Sequence, residues 1–159
     1  MRPLGFAFAA ALALPPAAAL ADGIVVTNLS GAATTLSPAQ LDDLPQGEAT
    51  LHEGAKAAPY EGATLTSILR EAGVPVGPRA HGAPMRAYVV VRGADGYKAT
   101  LSLAETDPEF RTGPIVLANK KAGVPLDAKE GPYRLVIGDD LKPWRAVKHV
   151  VAIDVKSAD

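Results

Sequence analysis

The sequence contains no cysteine. That absence excludes disulfides, thiolate nucleophiles, iron–sulfur clusters and any metal site held through cysteine sulfur. Aromatic residues are also scarce, at 5% of the chain, with Trp144 as the only tryptophan. His52, His81 and His149 are the only histidines, and they are too scattered to show metal-ligand spacing. No basic stripe is present. Lys120-Lys121 is the longest basic cluster and the formal net charge is −1, which removes the footprint of nucleic-acid binding. Nor does a Ser-His-Asp order, an acid pair or a phosphate loop stand out.

Long apolar runs are missing as well. Leu4 to Leu20 is apolar and Ala-rich, but it falls short of the ~20 residues of a spanning helix, and Pro15-Pro16 would interrupt it. Arg2 precedes this stretch and Ala19-Leu20-Ala21 follows the small-x-small rule, so residues 1–21 read as a signal peptide with Asp22 as the mature start. The expectation is an exported protein, periplasmic or secreted, with no stable membrane span. Cleavage removes one charged residue, Arg2, so 16 basic side chains become 15 against 17 acidic, a formal charge of −2.

What remains, residues 22–159, has the length of a single domain with one core. Its C-terminal half is a run of strands: Ala87–Val91, Tyr97–Leu103, Ile115–Leu117, Tyr133–Ile137 and Val150–Val155. In the second of these, Tyr97, Ala99, Leu101 and Leu103 alternate with Lys98, Thr100 and Ser102, the mark of a half-buried strand. Asp95-Gly96 before it is a hairpin signal. Tyr97, Leu101, Leu135 and Ile153 are expected to be buried and Lys98 exposed. Gly23–Leu29 reads as a first strand at a sheet edge. Ser37-Pro38-Ala39-Gln40 is a helix start with a capping box, stapled by Leu36 and Leu41 and stopped by Pro45. Glu48–Glu53 reads as a strand and Gly54–Pro59 as a loop. Thr64–Ala72 carries one apolar stripe, Leu65, Ile68, Leu69 and Ala72, and Gly73 closes that helix. Val76–Pro84 reads as a linker loop. The fold class is α+β, mixed and mostly β.

The order of these signals resembles one known family. Tyr60-Glu-Gly-Ala-Thr-Leu-Thr-Ser-Ile-Leu-Arg-Glu-Ala-Gly-Val74, Gly93-Ala-Asp-Gly-Tyr97, Val116-Leu-Ala118 with Gly123-Val-Pro-Leu126, Gly131-Pro-Tyr-Arg-Leu-Val136 and Val147-Lys148 follow one another as in the molybdopterin-binding domain of the sulfite oxidase and periplasmic methionine-sulfoxide reductase type. The resemblance implies a mixed domain of curled sheets around a molybdopterin, with molybdenum held by one cysteine thiolate. That thiolate would sit on the loop Leu51–Pro59, which here has no cysteine.

Five residues are candidates for a ligand site. Arg134, from the Gly-Pro-x-Arg piece, can grip an anion through its fork or lock into a structural salt bridge. Arg145 and Lys148, three apart, could form a small anion pocket, and the resemblance implies that this region helps hold the pterin phosphate. Trp144 beside them could stack a flat ring or simply pack. His52 lies where the missing thiolate would be, as a ligand or a surface histidine. Arg134, Arg145 and Lys148 are expected to converge, with Trp144 at the rim and the His52 loop opposite. No catalytic set and no metal set emerges. The leading functional reading is an exported domain without molybdenum redox chemistry that binds a small anionic ligand or a periplasmic protein partner. The alternative is a periplasmic molybdopterin-dependent oxidoreductase with non-thiolate metal ligation.

Overall fold

The computed structural model describes residues 23–159, so the signal peptide read over residues 1–21 and the start at Asp22 lie outside the described residues. In chain order the elements are β1 (Ile24–Thr27), β2 (Ala33–Leu36), α1 (Pro38–Asp43), β3 (Gln46–Glu53), β4 (Lys56–Thr64), α2 (Leu65–Glu71), β5 (Ala87–Gly93), β6 (Lys98–Ser102), β7 (Ile115–Lys121), β8 (Val124–Pro125), β9 (Arg134–Ile137) and β10 (Val150–Ser157). Short 3-10 turns fill the connections at Gly77–Arg79, Ala83–Arg86, Ala104–Thr106 and Pro143–Arg145. This is the mixed, mostly β, single domain that the alternation implied.

Two sheets build it. The first runs β2-β1-β10-β5-β6, with β1 and β10 parallel and the other pairs antiparallel. The second runs β3-β4-β7-β8, and β9 pairs with β7 from Ile115 to Ala118. The first strand is therefore not an edge: β2, a short polar strand with only Leu36 buried, covers it.

Both helices start and stop for local reasons. Ser37 Oγ accepts from the Gln40 amide at 3.3 Å and the Ser37 amide donates to Gln40 Oε1 at 2.9 Å, a complete capping box worth about 1 kcal/mol. The Gln46 side-chain amide donates to the carbonyls of Leu41, Asp42 and Leu44, which satisfies the far end of α1. At α2, Thr64 caps the start and Gly73, at φ 77°, takes the left-handed turn that ends it. The Gly73 amide bonds Arg70 and the Val74 amide bonds Leu69, so the orphan carbonyls find donors.

Side chains of both sheets and of α2 form the main core, which includes Val26, Ile68, Val89, Leu101, Leu117, Leu135 and Ile153. The alternate residues of the second sheet point the other way. Ala49, Leu51, Tyr60, Val116, Ala118 and Val136 make a smaller cluster on its outer face. Because Ile115–Ala118 of β7 and Leu135–Ile137 of β9 are buried on both faces, these stretches read as continuous apolar runs. Leu101, Leu135 and Ile153 are buried and Lys98 exposed, as the alternation requires. Tyr97 is the exception at 50% exposure. It precedes β6 and belongs to the turn, where its amide donates to Asp95 Oδ1 at 2.9 Å.

Candidate functional site

Residues 51–53 continue a strand, as read, but Gly54–Pro59, expected as a loop, is the turn and the start of the second strand of a hairpin. β3 and β4 pair without interruption to Glu53↔Lys56, leaving Gly54-Ala55 as the turn, with Gly54 at φ 64°. Pro59 is tolerated because pairing of β4 with β7 begins only at Tyr60. Alternation along β3 places Leu51 and Glu53 on the outer face and His52, half-buried, on the other. His52 therefore does not face the Arg134 side of the sheet.

Arg134 is 2% exposed, an uncommon place for a guanidinium. It stands level with Ala118 on β7 and, one strand further, Gly62 on β4, two small residues that leave room for it to reach across. Its Nη1 donates to the Tyr60 hydroxyl at 2.9 Å and approaches Glu130 at 3.2 Å, while Nη2 donates to Glu53 at 2.9 Å. Tyr60 donates to Glu130 Oε2 at 2.8 Å, and Lys121 reaches the same carboxylate at 3.2 Å. Both cations also sit near the Tyr60 ring, at 5.1 Å for Lys121 and 5.3 Å for Arg134. Two cations and two carboxylates close the network with no net charge. Arg134 Nε is buried without a hydrogen-bond partner among the described residues.

The electrostatics follow from this geometry. Burial pushes Glu130 up, but hydrogen bonds from Tyr60 and Lys121 and the charge of Arg134 outweigh it and hold the carboxyl below its ordinary value. Burial holds the Tyr60 hydroxyl above its ordinary value. Burial opposes the charge on Arg134, and the Glu53 hydrogen bond with the surrounding anions overrides it, so the guanidinium is raised.

A cleft of about 320 Å³ opens beside this network. Glu53, Arg134, Asp95, Tyr97, Trp144 and Lys148 line it. Trp144 is 72% exposed, and the Tyr97 hydroxyl donates to its backbone carbonyl at 2.5 Å, which ties the β5–β6 turn to the 143–145 turn. Gly93 helps place Lys148: a Cβ on Gly93 would come within 2.6 Å of the Lys148 carbonyl, so only glycine lets β5 approach the segment that leads into β10. Lys148 is exposed and makes no ion pair among the described residues.

Three of the five sequence candidates, Arg134, Trp144 and Lys148, thus share one cleft. Arg145 does not join them. It turns to Asp140, bonding both carboxylate oxygens at 3.0 and 2.7 Å, and to Glu105 at 2.8 Å. The Asp140 bond above all, then Glu105, raises its basicity further. The expected convergence of three cations is replaced by one: Arg134 and Arg145 are each neutralised by their own carboxylates, and Lys148 alone is uncommitted. Sequence reasoning missed Glu53, Tyr60, Lys121 and Glu130. Only contact across strands β3, β4, β7 and the 127–131 turn unites them, and no local spacing signals that.

The fold and cleft together define a small β-rich α+β domain that offers a half-open site against an outer sheet face. The chain belongs to the oxidoreductase molybdopterin binding domain family, whose model matches residues 24–159. Its fold is similar to that of the sulfane dehydrogenase SoxCD from Paracoccus pantotrophus, with a TM-score of 0.66 over 89% of this chain at 17% identity. The match spans 40% of that protein's chain, so this domain covers well under half of its length. No curated protein matches the sequence.

The residues do not fit a thiolate-held molybdenum centre. The sequence has no cysteine, and a closed hairpin turn stands where the resemblance puts the ligand loop. Among the described residues no three His, Asp or Glu side chains cluster as a metal set. The buried guanidinium nearest the cleft already holds Glu53 and Glu130.

Proposed function

We propose that this chain is an exported, non-redox member of its family, and that its cleft recognises an acidic group attached to a flat or apolar body. The group is carried by a small molecule or by an acidic segment of a periplasmic protein. The observation that carries this reading is the pairing of Lys148, the one cation of the cleft without a carboxylate, with the exposed rings of Trp144 and Tyr97. Arg134, Glu53 and Asp95 line the same cleft. Formal charges in the cleft balance, so a bare anion gains little there. Stacking on an indole beside an ammonium favours a ligand that brings both a ring and a negative charge.

The rival reading, a molybdopterin-dependent oxidoreductase with non-thiolate ligation, needs a nitrogen or oxygen ligand at the hairpin tip. His52 faces the other side of the sheet, and Glu53 is bound to Arg134. Trp144 is the sole tryptophan and exposed, so its emission reports on this site alone. Titration with aromatic carboxylates and with short acidic, aromatic-containing peptides should give a saturable blue shift, abolished by Lys148→Glu. A shift of equal affinity in Lys148→Glu, or none with any probe, would refute the assignment.

A further inference from the structure

We propose a second, separate site: the pocket at the β4–α2 junction binds a small oxyanion that carries a short apolar body. It lies at the opposite end of β4 from the Gly54-Ala55 hairpin and encloses about 240 Å³. Its polar lining includes Thr64, Arg70, Arg111 and Thr112, and Pro108 and Ile115 are among its apolar walls. No carboxylate lines it. Arg86, Arg92, Arg134 and Arg145 each hold an acid, whereas Arg70, Arg79 and Arg111 hold none among the described residues, and of these three Arg70 and Arg111 line the pocket.

The acids nearby are otherwise placed. Asp107 accepts from the amides of Gly77 at 2.5 Å and Glu109 at 2.9 Å. Asp139 lies against Gly113 but pairs with neither guanidinium. Two guanidiniums gathered on one pocket of an acidic protein repel each other unless an anion joins them.

The pocket is also held in shape. Arg111 is half-buried and anchored by one N–H to the Gly138 carbonyl, which leaves the rest of its fork available. The Thr66 hydroxyl donates to the Thr106 carbonyl and ties α2 to the 104–113 segment. Thr64 Oγ1 accepts from the Ser67 amide, so its own O–H is free to donate. The Thr112 hydroxyl is exposed and makes no hydrogen bond among the described residues. Two forks and two hydroxyls suit the oxygens of a carboxylate, sulfonate or phosphate. A volume of about 240 Å³ limits the ligand to a small molecule, and the apolar walls favour a short hydrocarbon body over a bare ion.

The test is amide chemical-shift mapping of the purified protein with butyrate, methanesulfonate and methyl phosphate as probes. At least one should give saturable shifts confined to residues 64–70 and 106–115, with Trp144 emission unchanged. Arg70→Gln, at an exposed position, should weaken that binding by about tenfold or more, the loss of a charge-assisted hydrogen bond, with no loss of folding. Arg111→Gln should weaken it at least as much, and Arg111→Lys should restore part of it. Shifts that do not saturate, that map to the Trp144 cleft, or that persist unchanged in Arg70→Gln would overturn the proposal.

Discussion

Replacing Arg134 by Gln removes the hub of the Tyr60–Glu130–Lys121–Glu53 network, and the structure sets the size of the loss. Breaking a buried ion pair from one side costs about 3–5 kcal/mol, because the remaining charge is left unpaired. Here the remaining anions are not stranded. Glu130 keeps Tyr60 at 2.8 Å and Lys121 at 3.2 Å, and Glu53, with 45% of its side chain exposed, returns to water. Arg134 Nε, buried without a partner, is also relieved. These features place the loss at the low end, about 3 kcal/mol, which for a domain of this size lowers Tm by roughly 12 °C. Thermal unfolding followed by far-UV circular dichroism measures it. A fall under about 3 °C, equivalent to less than about 1 kcal/mol, would refute the reasoning that Arg134 acts as a structural counter-charge.

Lys148→Glu should leave Tm nearly unchanged, within the ±0.5 kcal/mol of an ordinary surface substitution, since Lys148 is exposed and unpaired among the described residues. Differential scanning calorimetry decides this. Gly62→Ala should destabilise by about 2 kcal/mol or more, as overpacked interiors do, because the added Cβ would overlap the Leu117 carbonyl at the β4–β7 register shift; urea unfolding tests it. The acid limb carries a further signature. Glu130 has a lowered pKa in the folded state, so its contribution is present above the unfolded carboxylate value of ~4.3 and is lost as pH falls through the lower folded value. Stability measured against pH should therefore show Glu130→Gln less stable at neutral pH, with the gap to the unaltered protein closing in acid. A gap independent of pH would contradict the hydrogen-bonded carboxylate.

Local signals were legible. Ser37 and Gln40 spell the cap of α1, and Thr64, Leu65, Ile68, Leu69 and Gly73 spell α2 from end to end, because helix start, stripe and stop all lie within a few residues. The β-rich core was legible through alternation at Leu101, Leu135 and Ile153. What failed was set by partners distant in sequence. Residues 56–59 look like a loop because Ala, Ala and Pro carry no strand preference, yet β3 pairs with them across a two-residue turn. Tyr97 fits the alternation but falls one residue before β6, where the turn holds it out. β2 has only Leu36 as an apolar anchor and exists because β1 offers it a partner. In the site, Arg134, Trp144 and Lys148 could be picked by residue type, but the acids that neutralise Arg134 and Arg145 come from 4 to 81 positions away. Proximity in the fold, rather than spacing in the chain, decides which cation remains available.

We infer that this family member works without molybdenum. The most direct test is elemental analysis of the protein exported from a host that makes molybdopterin, with the absorption spectrum recorded on the same sample. The expected result is no stoichiometric molybdenum and no absorption beyond that of the aromatic side chains. One molybdenum per chain, retained through purification and lost when Glu53 or His52 is replaced, would contradict it and establish non-thiolate ligation instead.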